Sequence, residues 1–145
     1  MTQLIRELAH YEREPNAAIA TEQDLLRDGF DTSTPLFQCL IAEWEGEPAG
    51  FAFFFTTYST FLGRPGLYLE DLFVVPAARG KGAGRALLAR LAAITVERNY
   101  GRLEWAVLDW NEPAIGFYKK LGATPMDSWT IFRVTGDALQ KLAAS

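Results

Sequence analysis

The chain has a single cysteine, a single histidine, no long apolar run and no excess of positive charge, and each shortage excludes something. Cys39 has no second cysteine to pair with, so an internal disulfide is impossible. Its apolar neighbours Leu40 and Ile41 favour a buried structural thiol over a nucleophile. His10, alone on a helical stretch, reads as a solvated side chain rather than a base. The longest apolar run, Phe51 to Phe55 with its neighbours, is far too short to span a bilayer, and MTQLIRELAHYE lacks the layout of a signal peptide. The expectation is a cytoplasmic protein with no membrane partner. A net charge of −4 argues against a nucleic-acid binder that works by neutralising phosphates. No internal repeat or low-complexity linker divides the 145 residues, so a single domain over 1–145 is expected.

What is present reads as an α/β order. Leu4, Ile5, Leu8 and Tyr11 recur at helical spacing, and Thr21 with Asp24 resembles an acidic capping arrangement at the start of a second short helix. Leu36 to Glu43 reads as a strand, and Gly46-Glu47-Pro48 turns the chain into a second strand, about Ala49 to Tyr58. A third strand covers Leu67 to Val75, where Pro76 stops it. A helix from about Gly82 to Arg98 follows, with Leu87, Leu88, Leu91, Ala92 and Thr95 on one face and an end near Asn99 and Gly101. Leu103 to Leu108 is the next strand. Asn111 caps a helix that carries Pro113 in its first turn and stops at Gly122, and Trp129 to Val134 alternates as a last strand before a tail helix.

The most informative stretch is Leu67 to Leu88, an apolar strand followed by a glycine-rich turn and a helix. Gly80, Gly82 and Gly84 leave backbone amides at the helix start uncovered, so an anion can approach them and the positive end of the helix dipole. Arg79, Lys81 and Arg85 interleave the glycines and add charge for a polyphosphate. The turn lacks the Lys-Ser/Thr pair of a P-loop, and its glycine spacing is not the dinucleotide fingerprint. Upstream, Glu70 and Asp71 interrupt the apolar strand, where a charge is costly to bury without a partner or a task. Strand alternation puts adjacent side chains on opposite faces. Both carboxylates can serve one pocket only if a bulge or a strand end reorients them, and a bulge is predicted there.

Arg79-Gly80-Lys81-Gly82-Ala83-Gly84 matches the Q/R-x-x-G-x-G/A signature of the GNAT N-acetyltransferases. IRELAHYE at 5–12, TEQDLLRDGF at 21–30, YLEDLFV at 68–74 and WNEPAIGFYKKLGA at 110–123 resemble the diamine and spermidine/spermine N-acetyltransferases and their thialysine-acetylating relatives. The resemblance implies a GNAT fold, a mixed central sheet flanked by helices and splayed between the strands at about 67–75 and 103–108. It also implies acetyl-CoA as co-substrate, with its pyrophosphate on the turn from Arg79 through Gly80, Lys81, Gly82, Ala83 and Gly84 to Arg85. Its pantetheine pairs like an extra strand with Leu72, Phe73 and Val74. Asn111 matches a cofactor-contacting residue, with helix capping an equally good role, and Tyr118 matches the family's general acid. Tyr11 and Glu12 match its acceptor-side segment, and a homodimer is expected, with Trp129 to Val134 and the tail helix as the place to look for the contact.

The chemistry asks for the same parts. An ammonium has no lone pair to attack a thioester, so a carboxylate must take a proton, and Glu70 is the candidate. The oxyanion then needs a donor such as a strand amide near Leu72, Tyr118 protonates the departing thiolate, and no metal is required. Asp71 reads as either part of the acceptor site or an ion-paired structural carboxylate. Against the family's pattern a first strand is expected to be missing at the start of this chain, which would leave Leu36 to Glu43 as an exposed edge. The loop at 56–66 keeps Tyr58 and Phe61 but has no obvious extra acid, which favours a shorter amine over a long polyamine. The expected function is acetyl transfer to the primary amine of a small cation, by direct attack in a ternary complex. The alternatives are a non-catalytic acyl-CoA-binding module and a protein or peptide acetyltransferase.

Overall fold

The computed structural model describes residues 1–145, which divide into two compact units, Met1–Leu108 and Asp109–Ser145. The larger unit begins with two short helices, α1 (Thr2–Tyr11) and α2 (Glu22–Gly29). Thr21 and Asp24 close a reciprocal capping box: the Thr21 hydroxyl accepts from the Asp24 amide at 3.2 Å, and the Asp24 carboxylate accepts from the Thr21 amide at 2.9 Å. A four-stranded sheet follows in the order β1 (Gln38–Trp44), β2 (Glu47–Ser59), β3 (Arg64–Val74), β4 (Leu103–Trp105). The first three strands are antiparallel, and β4 lies parallel to β3. A parallel neighbour requires a crossover, which α3 (Ala83–Glu97) supplies after a 3₁₀ turn at Pro76–Ala78.

The middle of the sheet is buried on both faces. Phe51, Ala52 and Phe54 of β2 and Leu67 and Leu69 of β3 are almost fully buried, at 2% exposure or less. Leu4 and Leu8 of α1 pack on Phe51 and Phe73, with Ile5, Cys39, Phe53 and Val75 around them. The helix α3 lies across the strands and buries Leu87, Leu88, Leu91, Ile94 and Thr95. The expected face included Ala92. That residue is exposed because it falls outside the stripe through 87, 91 and 94–95, and Ile94 takes the inward place. Asn99, at φ 55°, ends the helix in the left-handed region.

Two features of β3 position the candidate site. Phe53 pairs with Asp71 and Phe54 with Leu69, so Glu70 is the extra residue of a β-bulge. On the other side, β4 pairs with β3 only from Leu67 to Leu69 and then parts from it. The strand expected over Leu103–Leu108 therefore stops at Trp105, and the sheet is splayed there. The strand β1 pairs only with β2 and forms the other edge.

The smaller unit holds α4 (Glu112–Lys120) and α5 (Gly136–Ala143). Asn111 caps α4, its Oδ1 accepting from the Ala114 amide at 3.4 Å, Pro113 sits in the first turn, and Gly122 follows at φ 93°. The last strand expected over Trp129–Val134 is not formed. No strand in this unit offers a ladder to pair with, and Ile131 and Phe132, neighbours that a strand would point to opposite faces, are both exposed, at 76% and 93%.

Candidate active site

The bulge breaks the alternation that would separate Glu70 from Asp71, and the end of α1 brings Glu12 to the same place. The Glu70 charge acts on the other two carboxylates. Burial, then the Glu70 and Glu12 charges, push Asp71 from 3.8 up to about 6. Burial first, and Glu70 second, raise Glu12 above the usual carboxylate range. Tyr68, one strand position before Leu69, is also raised, by burial and then by Glu70 and Glu104. No cation offsets Glu12 or Asp71, and none of the three carboxylates forms an ion pair within this unit. An uncompensated acidic cluster of this kind is a place for a cation that the chain itself does not supply.

Aromatic rings stand beside the acids. Tyr11, at the last turn of α1, lies 6.4 Å from Phe73 between ring centroids. The Arg79 guanidinium carbon sits 5.0 Å from the Tyr11 centroid and 5.6 Å from that of Phe73. The expectation that Tyr11, Glu12, Glu70 and Asp71 share a site therefore corresponds to residues that the fold brings together. Cys39 lies nearby on β1. Burial, and to a lesser extent Asp71, push its thiol up to about 11 against the opposing pull of the chain's amino terminus, and its Sγ–H donates to the Leu40 carbonyl at 3.6 Å. At neutral pH it stays a thiol, which suits a structural role and not nucleophilic attack.

The glycine turn is built for an approaching anion. Gly80 and Gly82 adopt φ 78° and 84°, conformations in which any side chain is strained, and a Cβ on either would project into open space. Gly82 is also the N-cap of α3 and provides no side-chain acceptor, so the first amides of α3 are not capped by their own chain. Between this turn and the acids runs the open edge of β3, Leu72 to Val74, without a β4 partner. The residues present thus fit an extended ligand that carries phosphate at one end. Two of the three cationic side chains of the turn are engaged elsewhere: Arg79 lies on Tyr11 and Phe73, and Lys81 Nζ lies 5.2 Å from the Trp44 ring centroid. Trp44 escaped the sequence reading because it and Lys81 are 37 residues apart, and no local pattern marks such a pair. Asn111 and Tyr118 belong to the smaller unit, on the cap and the second turn of α4.

The comparisons with known proteins agree with this geometry. The model of the Acetyltransferase (GNAT) family matches residues 2–123. The thialysine N-epsilon-acetyltransferase of Bos taurus is 40% identical, over 97% of this chain and 88% of that protein. The L-ornithine N5-acetyltransferase of Arabidopsis thaliana is 46% identical over 65% of this chain and 41% of its own length. Among solved structures, an integron cassette protein from the mobile metagenome of V. cholerae superposes with a TM-score of 0.82 at 31% identity, covering 99% of this chain and 90% of that one.

Proposed function

The chain belongs to the GNAT family and is an N-acetyltransferase, and from that premise we propose that it acetylates the primary amine of a small cationic acceptor, either a diamine or polyamine or a lysine-like amino acid. The observation that carries the acceptor class is the uncompensated trio Glu12, Glu70 and Asp71 beside the Tyr11 ring. Relatives named for thialysine and ornithine acetylation support an amino acid with a side-chain amine, in keeping with a loop at 56–66 that offers Tyr58 and Phe61 but no acid for a second distant ammonium.

Acetyl-CoA supplies the activated acetyl group when bound. Its pyrophosphate suits the amides from Gly80 to Arg85, and its amide-bearing arm suits the open edge of Leu72, Phe73 and Val74, with Arg79, Lys81, Ala83, Gly84, Asn111 and Tyr118 completing the proposed donor contacts. The chain's own groups do the proton work. Tyr11, Glu12 and Asp71 hold the acceptor cation, and Glu70, directly or through water, takes the proton that frees its lone pair for direct attack in a ternary complex. A β3 amide near Leu72 donates to the developing oxyanion. Tyr118 returns a proton to the departing thiolate; this role rests on the match of the 110–123 motif.

The family match over residues 2–123 runs across both units and supports reading 1–145 as one domain. The exposed, strand-patterned Trp129–Val134 supports a homodimer contact there, which the mass in solution checks. A cytoplasmic location is proposed, and no helix is long and apolar enough to cross a membrane. The function is tested by thiol release from acetyl-CoA over a panel of ornithine, thialysine, short diamines and spermidine. Turnover with none of them, while CoA binds, would sink the amine reading.

A further inference from the structure

The Arg79 side chain touches both halves of the candidate site. The Val75 amide donates to the Ala49 carbonyl of β2 at 2.8 Å. In a planar trans peptide the preceding carbonyl points the opposite way, so Val74 O faces away from β2, along the edge that β4 leaves after Trp105. There Arg79 Nε donates to it at 2.9 Å. The same guanidinium covers Tyr11 and Phe73, at 5.0 and 5.6 Å from the ring centroids, and forms no ion pair within this unit.

This is an exchangeable resting place for a charge. A ligand that adds to the β3 edge needs the Val74 carbonyl, and an anion on the Gly80–Gly84 amides sits immediately next to Arg79 in the chain and attracts it. Both draw the guanidinium off Tyr11. An acceptor ammonium bound between the Tyr11 ring and the acids Glu12 and Asp71 would meet the guanidinium there, and two cations on one ring face repel each other.

We propose that Arg79 is a positioning residue that makes the amine site depend on the acyl donor: its guanidinium occupies the Tyr11 face while the donor site is open and leaves it when that site fills. The proposal rests on the amine reading above. Its thermodynamic signature is reciprocal coupling, in which CoA tightens the amine by the factor by which the amine tightens CoA.

The test is calorimetric titration of the amine that the panel selects, with and without saturating CoA, on the wild type and on Arg79→Gln. The wild type is expected to bind the amine about tenfold more tightly with CoA. In Arg79→Gln the CoA-free affinity should rise toward the CoA-bound value, with a residual effect of CoA within about twofold, comparable to ordinary variation between unrelated sites. Arg79→Lys, which keeps the charge but loses Nε, is a second variant should the first fold poorly, and is expected to show intermediate coupling. The Arg79 Nε–Hε resonance gives a readout without amine: it should move when CoA alone is added. Coupling that persists in both variants, or an unmoved resonance, overturns the role of Arg79 and leaves an observed amine turnover standing. Failure of every amine to bind or turn over removes the amine reading and this inference with it.

Discussion

Asp71 sits in a strand where its charge is costly, so removing that charge should make the protein more stable and less active. Its carboxyl is pushed from 3.8 to about 6, by burial first and by Glu70 and Glu12 next. At about 1.4 kcal/mol for each tenfold change in proton affinity this corresponds to about 3 kcal/mol, which partial exposure of the side chain to water trims toward about 2 kcal/mol. The sign follows from proton uptake. Below pH 3.8 the carboxyl is neutral in both states and no cost is felt. Between 3.8 and about 6 the folded protein holds a proton that the unfolded chain has lost, so stability falls as pH rises, and above about 6 the full cost persists. Asp71→Asn removes the titration. At pH 7.5 it should raise Tm by about 5 °C in a chain of this length. At pH 4.5 the gain should shrink to about a third to a half of that. The same variant should raise the KM for the amine, because one of the acids beside Tyr11 is gone. Thermal unfolding of both proteins at a series of pH values reads the first effect, and steady-state kinetics the second. A gain in Tm that does not change between pH 4.5 and 7.5, or a loss of stability at pH 7.5, would refute the assignment of Asp71 as an uncompensated buried carboxylate.

Tyr118→Phe should lower kcat by about 10²-fold, the low end of general-acid contributions, with CoA affinity nearly intact by direct titration; unchanged turnover rejects the proton-donor role. Glu70→Gln should lose most activity at low pH, where the amine is most fully protonated, so a loss uniform across the pH–rate profile points to binding instead. Gly82→Val places a branched side chain at φ 84°, in space that is otherwise open, so CoA binding should be abolished in a titration, with about 1–3 kcal/mol of backbone strain added. Retained CoA affinity in a folded Gly82→Val would remove the turn from the donor site.

Most of what fixes this architecture is local and therefore readable in the chain. The capping box at Thr21, the strand-turn-strand of β1 and β2, the glycine turn entering α3 and the Asn111 cap all arise from residues within a few positions of one another. Even the bulge was foreseeable, since two adjacent carboxylates in an apolar strand have few other ways to coexist. Non-local contacts were not legible in spacing or periodicity. The nearness of Glu12 to Asp71 was expected through the family resemblance alone, and that Arg79 rests on Tyr11 and Lys81 reaches Trp44 depends on how α1, β1 and the glycine turn come together. The failed strand at Trp129–Val134 has a related cause: alternation states a willingness to pair, but a ladder needs a second strand to be present.

The bulge and the splay of the sheet share one location, and this bears on how the site is built. Pairing with β4 ends at Leu69, and the residue that follows, Glu70, is the one with no partner on β2. An extra residue in an antiparallel pair increases local twist and bends the strand that carries it. The same insertion therefore turns β3 away from β4 and so opens the Leu72–Val74 edge, and it frees Glu70 and Asp71 from strict alternation, so that Asp71 senses both Glu70 and Glu12. The edge proposed for the donor and the carboxylates proposed for the acceptor are consequences of one local irregularity. A substitution that restored regular pairing at Glu70 would remove both together, whereas changes at Arg79 alter only how the two halves communicate.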